Sequence, residues 1–226
     1  MALKSKDFIA IEFTAKLKDG DIFDSNVKKD LAKAGIQGNL KPFVFALGEG
    51  MFLKGVEEFL IGKEVGEYTI ELSPEKAFGK RDPKLIQMIP LKEFRSQQVN
   101  PIPGQVFNFD GKLAKILTVS GGRVMVDFNN PIAGKDVVYE IKILEEIKDL
   151  NKKVEAMIDF FFRQDFKFNI EGKELNLEVI KGFGRFAELF KEKFKKLLDL
   201  NLKVSEIEEK EEVKTEERSK EKPKSE

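Results

Sequence analysis

Apolar and polar residues alternate along several stretches in the first part of the chain, with the two-residue period of a half-buried β-strand. The alternation covers Phe8–Leu17, Ile22–Ser25 and residues 41–47 and 68–72. Residues 18–21, Lys-Asp-Gly-Asp, are typical of the tight turn of a hairpin, which here joins the first two stretches. The pattern predicts an antiparallel sheet.

A helical period interrupts these strands at residues 51–60. Five apolar side chains recur there at helical spacing, namely Phe52, Leu53, Val56, Phe59 and Leu60. Glycines before and after the segment indicate a single short helix. A helix this short buries its apolar face only against a curved sheet, so we expect the strands to wrap around it. A further short helix is expected at Lys28–Ala34, ending at Gly35.

The character of the chain changes after Asp82 and Pro83. Between residues 84 and 128, short apolar runs alternate with Gly- and Pro-containing turns, which predicts a small all-β domain of marginal stability on its own. This domain either acts as a spacer or offers a flexible apolar surface to varied partners. The residues expected to bind such clients are Met88, Ile89, Phe94, Phe107, Phe109 and Met125.

Residues 151–207 show the pattern of an αββαβ module. Helices are expected at residues 152–163 and 186–198, a hairpin at 166–180 and a strand at 200–207. Because so small a module has little room for its many Phe side chains, we expect them to form its core or a homodimer interface. Residues 208–226 are mostly Glu, Lys, Ser and Thr, and we expect a disordered tail or a frayed helix.

Composition excludes several function classes. Lys and Arg together number 40, as do Asp and Glu, so the net charge of zero argues against a nucleic-acid partner. The sequence has no Cys and no His, which removes thiol chemistry, Ser-His dyads and most transition-metal sites. We therefore expect no metal and no cofactor. No long apolar run or signal-peptide core is evident, so the expected partner is not a membrane and the expected location is the cytoplasm.

Two segments carry a family resemblance. LGEGMFLKGVEEFLIGKEVGE at residues 47–67, followed by SPEKAFG at 73–79, is similar to the central helix, strand and loop of the FKBP peptidyl-prolyl isomerases. DFNNPIAGKDVVYEIKIL at residues 127–144 resembles the closing strand of the prokaryotic and archaeal long-type members. The insertion between them resembles that of SlyD-like isomerases, in which a small chaperone domain interrupts the flap.

The resemblance covers residues 1–150 and implies an α+β fold, with an FKBP-type curved antiparallel sheet wrapped on a short helix. It implies an isomerase domain formed by residues 1–83 and 129–150, an insert-in-flap chaperone domain at 84–128, and the separate module at 151–207. The implied function is the cis-trans isomerisation of X-Pro bonds in unfolded or partly folded polypeptides, with chaperone activity supplied by the insert.

The resemblance also implies the site residues. Asp24, Phe13, Phe78 and Tyr139 correspond to catalytic positions, and the substrate-binding positions are Phe23, Phe43, Phe52, Leu53, Val56 and Ile132. The Asp24 carboxylate would face the substrate carbonyl region, and the Leu53 N–H would hold a substrate carbonyl. Read by itself, a lone Asp near a turn is more often a turn or cap residue.

This chain departs from the family pattern at several of these positions. Phe13 and Phe78 stand where the family often has Tyr, and Val56 stands where single-domain members have Trp. The NHPLAG segment of prokaryotic members is replaced by Asn-Asn-Pro-Ile-Ala-Gly at residues 129–134, and the metal-binding tail is missing. Two alternatives therefore remain beside the isomerase: a holdase chaperone with weak or no catalysis, and a dimeric interaction scaffold that works through its C-terminal module.

Overall fold

The computed structural model describes residues 1–109 and 111–208. The chain divides into two compact units, Met1–Asp149 and the residues from Leu150 onward. None of the helices in these described ranges is long and apolar enough to cross a membrane. Apart from Glu208, the tail expected to be disordered lies outside the described residues.

The first unit contains nine strands and three α-helices within its described residues. In chain order these are β1 (Phe8–Leu17), β2 (Ile22–Ser25), α1 (Lys28–Ala34), β3 (Phe43–Ala46), α2 (Lys54–Leu60), β4 (Gly66–Leu72), β5 (Ile86–Pro90), α3 (Leu91–Ser96), β6 (Val106–Phe109), β7 (Lys112–Ser120), β8 (Arg123–Asp127) and β9 (Val137–Ile147).

A five-stranded antiparallel sheet forms the larger part of this unit. Its strand order is β2-β1-β9-β4, and β3 pairs with the other half of β1. The pairing register of β1 shifts between Ala10 and Ile11 and again between Ala15 and Lys16, and such bulges bend and twist a strand. Inward-facing side chains of β1, β3 and β9 form a core with Val56 and Leu60 of α2. This arrangement confirms the α+β class and the antiparallel sheet expected from the sequence.

Helix α2 begins at Lys54, three residues later than its apolar spacing predicted. Leu53 has extended backbone angles, φ −62° and ψ 128°, and acts as the N-cap residue. The carboxylate of Glu57 accepts hydrogen bonds from the backbone N–H groups of Gly50 and Phe52 and holds this segment in a non-helical conformation. The residues before α2 therefore stay irregular.

The insert between β4 and β9 contains a second sheet, with strand order β5-β8-β7-β6. Its core consists of Phe94, Ala114, Ile116, Val124 and Val126. The expectation of an all-β insert is wrong, because α3 packs on this sheet and supplies Phe94. Residues 91–96, Leu-Lys-Glu-Phe-Arg-Ser, directly follow Pro90 and are mostly good helix formers.

The second unit contains α4 (Leu150–Phe162), β10 (Lys167–Glu171), β11 (Glu174–Ile180), α5 (Gly184–Glu188), α6 (Lys191–Leu198) and β12 (Asn201–Ile207). Strands β10 and β11 form the predicted hairpin, and β12 lies parallel to β11. The single helix expected at 186–198 is wrong: the N–H groups of Leu189 and Phe190 bond three residues back, which separates α5 from α6. The module is therefore αββααβ.

Candidate active site

Phe52 lies at the centre of an aromatic cluster on the inner side of the five-stranded sheet. Its ring centroid is 5.1 Å from that of Phe13 on β1 and 5.7 Å from that of Tyr139 on β9. On the β3 side, Phe43 and Phe45 lie 5.4 and 5.5 Å from it. Phe13, Phe45 and Tyr139 are buried, whereas Phe43 and Phe52 are half-buried. The cluster thus has a buried base and a partly exposed rim.

A second pair of rings joins the cluster through Tyr139. The Phe23 ring of β2 lies 6.2 Å from the Tyr139 ring and 5.7 Å from that of Phe78. Phe78 follows a short 3₁₀ turn at Pro74–Lys76, and the N–H of Gly79 donates to the carbonyl of Pro74 at 2.7 Å. Both Phe23 and Phe78 are half-buried. The structure therefore brings all six aromatic residues of the expected site into one connected group of rings.

Asp24 adds a negative charge to this apolar site. It pairs with Ala15 across β2 and β1, and Ala15 is also the partner of Tyr139 on β9. Although much of Asp24 is exposed, neighbouring atoms shield its carboxyl and raise its pKa, an effect that a hydrogen bond from the Ser25 backbone partly offsets. Burial, and to a lesser extent the Asp24 charge, raise the pKa of the Tyr139 phenol. Tyr139 therefore remains a protonated hydrogen-bond donor at neutral pH.

The three aliphatic positions of the expected site differ in burial. Val56 is fully buried in the first turn of α2, which fits the floor of a pocket, and Leu53 and Ile132 are half-buried. In the Ile132 loop, the Gly134 N–H donates to the carbonyl of Gly79 at 2.8 Å. This bond ties the Ile132 loop to the loop that carries Phe78.

A polar network joins the two connections between the insert and the larger sheet. Arg81 forms an ion pair with Asp127, which is buried. Asn129 donates to Asp127 Oδ1 through its backbone N–H at 2.9 Å and through its side-chain amide at 2.7 Å. The Asn129 side chain also accepts from the Asp82 N–H at 2.8 Å. The ion pair and these hydrogen bonds therefore hold together the segments that precede and follow the insert.

The structure corrects part of the expected client surface. Phe94 is 5% exposed and lies in the insert's core, so the expectation that it faces clients is wrong. Ile89, Phe107 and Phe109 also pack against this core, with the Phe94 and Phe109 rings 5.7 Å apart. Helix α3 covers this face of the sheet, and its presence was not foreseen.

The opposite face of the insert sheet is exposed and carries four apolar side chains among polar ones such as Asn108, Lys115 and Thr118. Met88 and Met125 are directly opposite each other on β5 and β8, and Met125 lies between the buried Val124 and Val126, so both Met side chains point away from the core. Phe107 on β6 and Ala114 on β7 face the core. The residues just before them, Val106 and Leu113, therefore face away from it, and they are 51% and 60% exposed. Neither residue was predicted from the sequence to bind clients, although the alternation within β6 and β7 contains the signal. The four residues Met88, Val106, Leu113 and Met125 are called the outer face below.

A groove of about 350 Å³ on the larger sheet shares Phe13 with the aromatic cluster, but its other lining residues lie outside the cluster. Its lining is mainly polar and includes Glu12, Asp30, Glu67, Glu140 and Lys142. Salt bridges and hydrogen bonds already engage many of these groups, for example Lys142 with Glu67 at 3.3 Å. The groove lacks the apolar character that prolyl isomerisation requires, so the aromatic cluster remains the candidate site.

Comparisons with known proteins identify relatives among the peptidyl-prolyl cis-trans isomerases. Residues 87–132 match the family model for the FKBP26 IF domain. The chain is 33% identical over 145 residues to the short-type peptidyl-prolyl cis-trans isomerase of Methanocaldococcus jannaschii, covering 62% of this chain and 92% of that protein. It is also 33% identical over 150 residues to the FKBP-type 16 kDa peptidyl-prolyl cis-trans isomerase of Escherichia coli, covering 64% and 93%.

A SlyD protein of Helicobacter pylori, an FKBP-type peptidyl-prolyl cis-trans isomerase by name, is 28% identical over 128 residues, covering 55% of this chain and 63% of its own length. The chain belongs to the FKBP-type peptidyl-prolyl cis-trans isomerases. Within that family it is SlyD-like, as the match of its insert and the SlyD relatives indicate.

Proposed function

We propose that this protein isomerises X-Pro bonds of unfolded or partly folded polypeptides in the aromatic cluster around Phe52, while the insert holds these clients nearby. The observation that carries the proposal is the connected cluster that contains the six rings of the expected site, from four strands and two loops, with the Asp24 carboxylate beside it. This combination provides a partly exposed apolar surface with few polar groups beside it.

Prolyl isomerisation suits a site of this kind. The barrier of roughly 18–20 kcal/mol arises from the partial double-bond character of the amide C–N bond. The twisted amide is less polar than the planar one, so an apolar pocket that removes water from the carbonyl favours the twisted state. An acceleration of about 10⁴ requires about 5–6 kcal/mol of differential stabilisation. Neither an acid, a base nor a metal has to take part.

The polar groups of the site have distinct roles in this mechanism. The Tyr139 phenol stays protonated and can donate to a substrate carbonyl. The Asp24 carboxylate faces the region where the charge distribution of the amide changes as the bond twists. In the described part of the chain, the Leu53 N–H donates to no protein acceptor, and we assign it a substrate carbonyl.

The outer face of the insert supports the client-holding part of the proposal. Met88 is 56% exposed, and Met side chains adapt to apolar surfaces of different shapes. A client bound there is tethered to the same molecule as the pocket, which raises its local concentration without altering the chemistry. We propose that the outer face, and not Phe94, contacts unfolded polypeptides.

The C-terminal module is proposed to bind a second copy of this chain. Phe186 and Leu189, at α5 and just after it, are 43% and 74% exposed. Phe186 and Leu189 form the apolar patch of this module, and charged residues of both signs lie next to them in the sequence, including Glu188, Lys191 and Glu192. A patch of this composition is complementary to itself when two copies meet about a two-fold axis.

A holdase with weak catalysis is the second candidate. Phe13 and Phe78 carry no hydroxyl, so the pocket has fewer groups that can bind a substrate carbonyl. This observation favours a slower isomerase. Client holding by the outer face would then account for most of the assistance that the protein gives to folding.

The test is to replace residues 84–128 with a short Gly-containing flap and to compare two substrates. A protease-free assay on a short X-Pro peptide should change by no more than a few-fold, because the peptide needs only the pocket. Catalysis of proline-limited refolding of a protein should slow much more, through weaker binding. Equal losses on both substrates would mean that the insert only supports the pocket. Refolding assistance without peptide turnover in the wild-type protein would favour the holdase.

A further inference from the structure

Glu57 is a buried carboxylate that the proposed mechanism does not use. It lies in α2 and is 3% exposed, between the fully buried Val56 and the exposed Glu58. In the described part of the chain it forms no ion pair with a Lys or Arg side chain. A buried carboxylate without a cation is costly unless hydrogen bonds replace its hydration. The groups that form hydrogen bonds with Glu57 therefore indicate its role.

Both oxygens of Glu57 are occupied by backbone N–H groups of the preceding loop. Oε1 accepts from Phe52 at 2.5 Å, and Oε2 accepts from Gly50 at 3.1 Å. Charge-assisted bonds of this kind are about twice as strong as neutral ones, and the N-terminal end of a helix favours a negative charge. The arrangement is similar to a capping box, in which an acidic side chain reaches back to the chain before its helix.

The loop that Glu57 holds carries two groups of the candidate site. Phe52 is the ring that contacts Phe13, Phe43 and Tyr139. The next residue, Leu53, has the N–H that lacks a protein acceptor in the described residues. The carbonyl of Leu53 is fixed by the N–H groups of Val56 and Glu57, at 2.9 and 3.0 Å. The free N–H therefore lies between two anchored points of the backbone.

We propose that Glu57 is a positioning residue for prolyl isomerisation, which orients the Phe52 ring and the Leu53 N–H toward the substrate through its bonds to the Gly50 and Phe52 N–H groups. This inference rests on the proposed function of the aromatic cluster. Without the carboxylate, the loop at residues 50–53 loses two anchors and the Leu53 N–H samples several directions. A site whose donor is not fixed in advance stabilises the twisted amide less well.

The test uses the full chain with Glu57→Gln, Glu57→Ala and the control Glu58→Gln. Glutamine keeps the size of the side chain but can accept only one of the two hydrogen bonds, because its amide nitrogen is a donor. Glu58 is the neighbouring exposed glutamate, 3.8 Å from Lys54, and its substitution should change nothing. The readouts are kcat/KM for a short X-Pro peptide, the folded fraction from urea unfolding, and the amide NMR signals of Gly50, Phe52 and Leu53.

The expected result is that Glu57→Gln stays fully folded, with kcat/KM lower by about tenfold and shifted amide signals at Gly50 and Phe52. Glu57→Ala should lose at least as much activity per folded molecule, and if it does not fold, Glu57→Gln decides the question. Wild-type kcat/KM in fully folded Glu57→Gln would overturn the inference about Glu57 but not the proposed function. A loss of activity that matches the unfolded fraction would do the same. An inactive wild-type protein would overturn the proposed function together with it.

Discussion

Tyr139 meets Phe52 edge to face, with ring centroids 5.7 Å apart and an interplanar angle of 87°. The two residues come from opposite sides of the insert in the sequence: Phe52 precedes α2, and Tyr139 lies on β9. Strand β9 pairs with both β1 and β4. The candidate site therefore combines residues from both sides of the insert, and it is complete only when β9 is paired in the larger sheet.

The raised pKa of Asp24 predicts a pH-dependent stability. A carboxyl whose folded-state pKa lies above its unfolded value binds protons more tightly when folded, so its contribution to stability falls as pH rises from about 4 through the folded pKa. Asp24→Asn removes this penalty. We expect the variant to be at least as stable as wild type at neutral pH, with a smaller difference near pH 4, as measured by urea unfolding. A variant that is less stable than wild type only at neutral pH would contradict this sign.

The network at the base of the insert predicts a local effect of Asp127→Ala. The substitution leaves Arg81 without its ion-pair partner and the Asn129 backbone N–H without its acceptor. The Asn129 side-chain amide loses one of its two acceptors and keeps the Asp82 carbonyl. A loss of about 1–3 kcal/mol is expected for such a buried acceptor. Hydrogen exchange should become faster in β5 and β8, next to Asp127, and the five-stranded sheet should be less affected.

Glu93→Ala is the matched control for Asp127→Ala, because Glu93 is an exposed carboxylate on α3 of the same insert, 4.0 Å from Lys92. It should leave exchange unchanged. Equal protection of β5 and β8 in Asp127→Ala and Glu93→Ala would show that the network does not stabilise the base of the insert.

Local periodicity predicted most elements of this fold but not the orientation of some side chains. Strands β1 and β2 were predicted with their observed bounds, because alternation and turn residues act over short distances. Phe94 was predicted to face clients, whereas it lies in the core of the insert. The reason is that a six-residue helix, α3, has too few turns to show a hydrophobic period. Glu57 was missed because its partners are backbone N–H groups of an irregular loop, which no side-chain pattern reveals. The rings of the site could be assigned only through the family resemblance.

The two faces of the insert sheet predict opposite results for two substitutions. Phe94→Ala removes a core side chain and should destabilise the insert by about 3–5 kcal/mol. Met88→Lys changes an exposed outer-face residue and should alter stability by no more than about 0.5 kcal/mol. It should nevertheless weaken binding of an unfolded client protein, measured by fluorescence anisotropy. Wild-type client binding by Met88→Lys would place the client surface elsewhere.

The exposed patch of the C-terminal module predicts a change of oligomeric state. Leu189→Lys places a charge in the apolar patch and should convert a dimer into a monomer in sedimentation experiments at micromolar concentration. Val65→Lys is the control, because Val65 is 57% exposed and lies in the other unit, just before β4. A wild-type protein that sediments as a monomer would contradict the proposed self-association.

The most direct test of the proposed site is kcat/KM for a short X-Pro peptide in Asp24→Asn, Tyr139→Phe and Tyr68→Phe. Tyr139→Phe removes only the hydroxyl and keeps the ring contacts with Phe13, Phe23 and Phe52. The other tyrosine of the chain, Tyr68, bonds through its hydroxyl to the Glu64 carbonyl at 3.0 Å and serves as the matched control. We predict that kcat/KM falls by about tenfold in Asp24→Asn and in Tyr139→Phe and is unchanged in Tyr68→Phe. Wild-type values for both Asp24→Asn and Tyr139→Phe would show that X-Pro bonds are isomerised elsewhere.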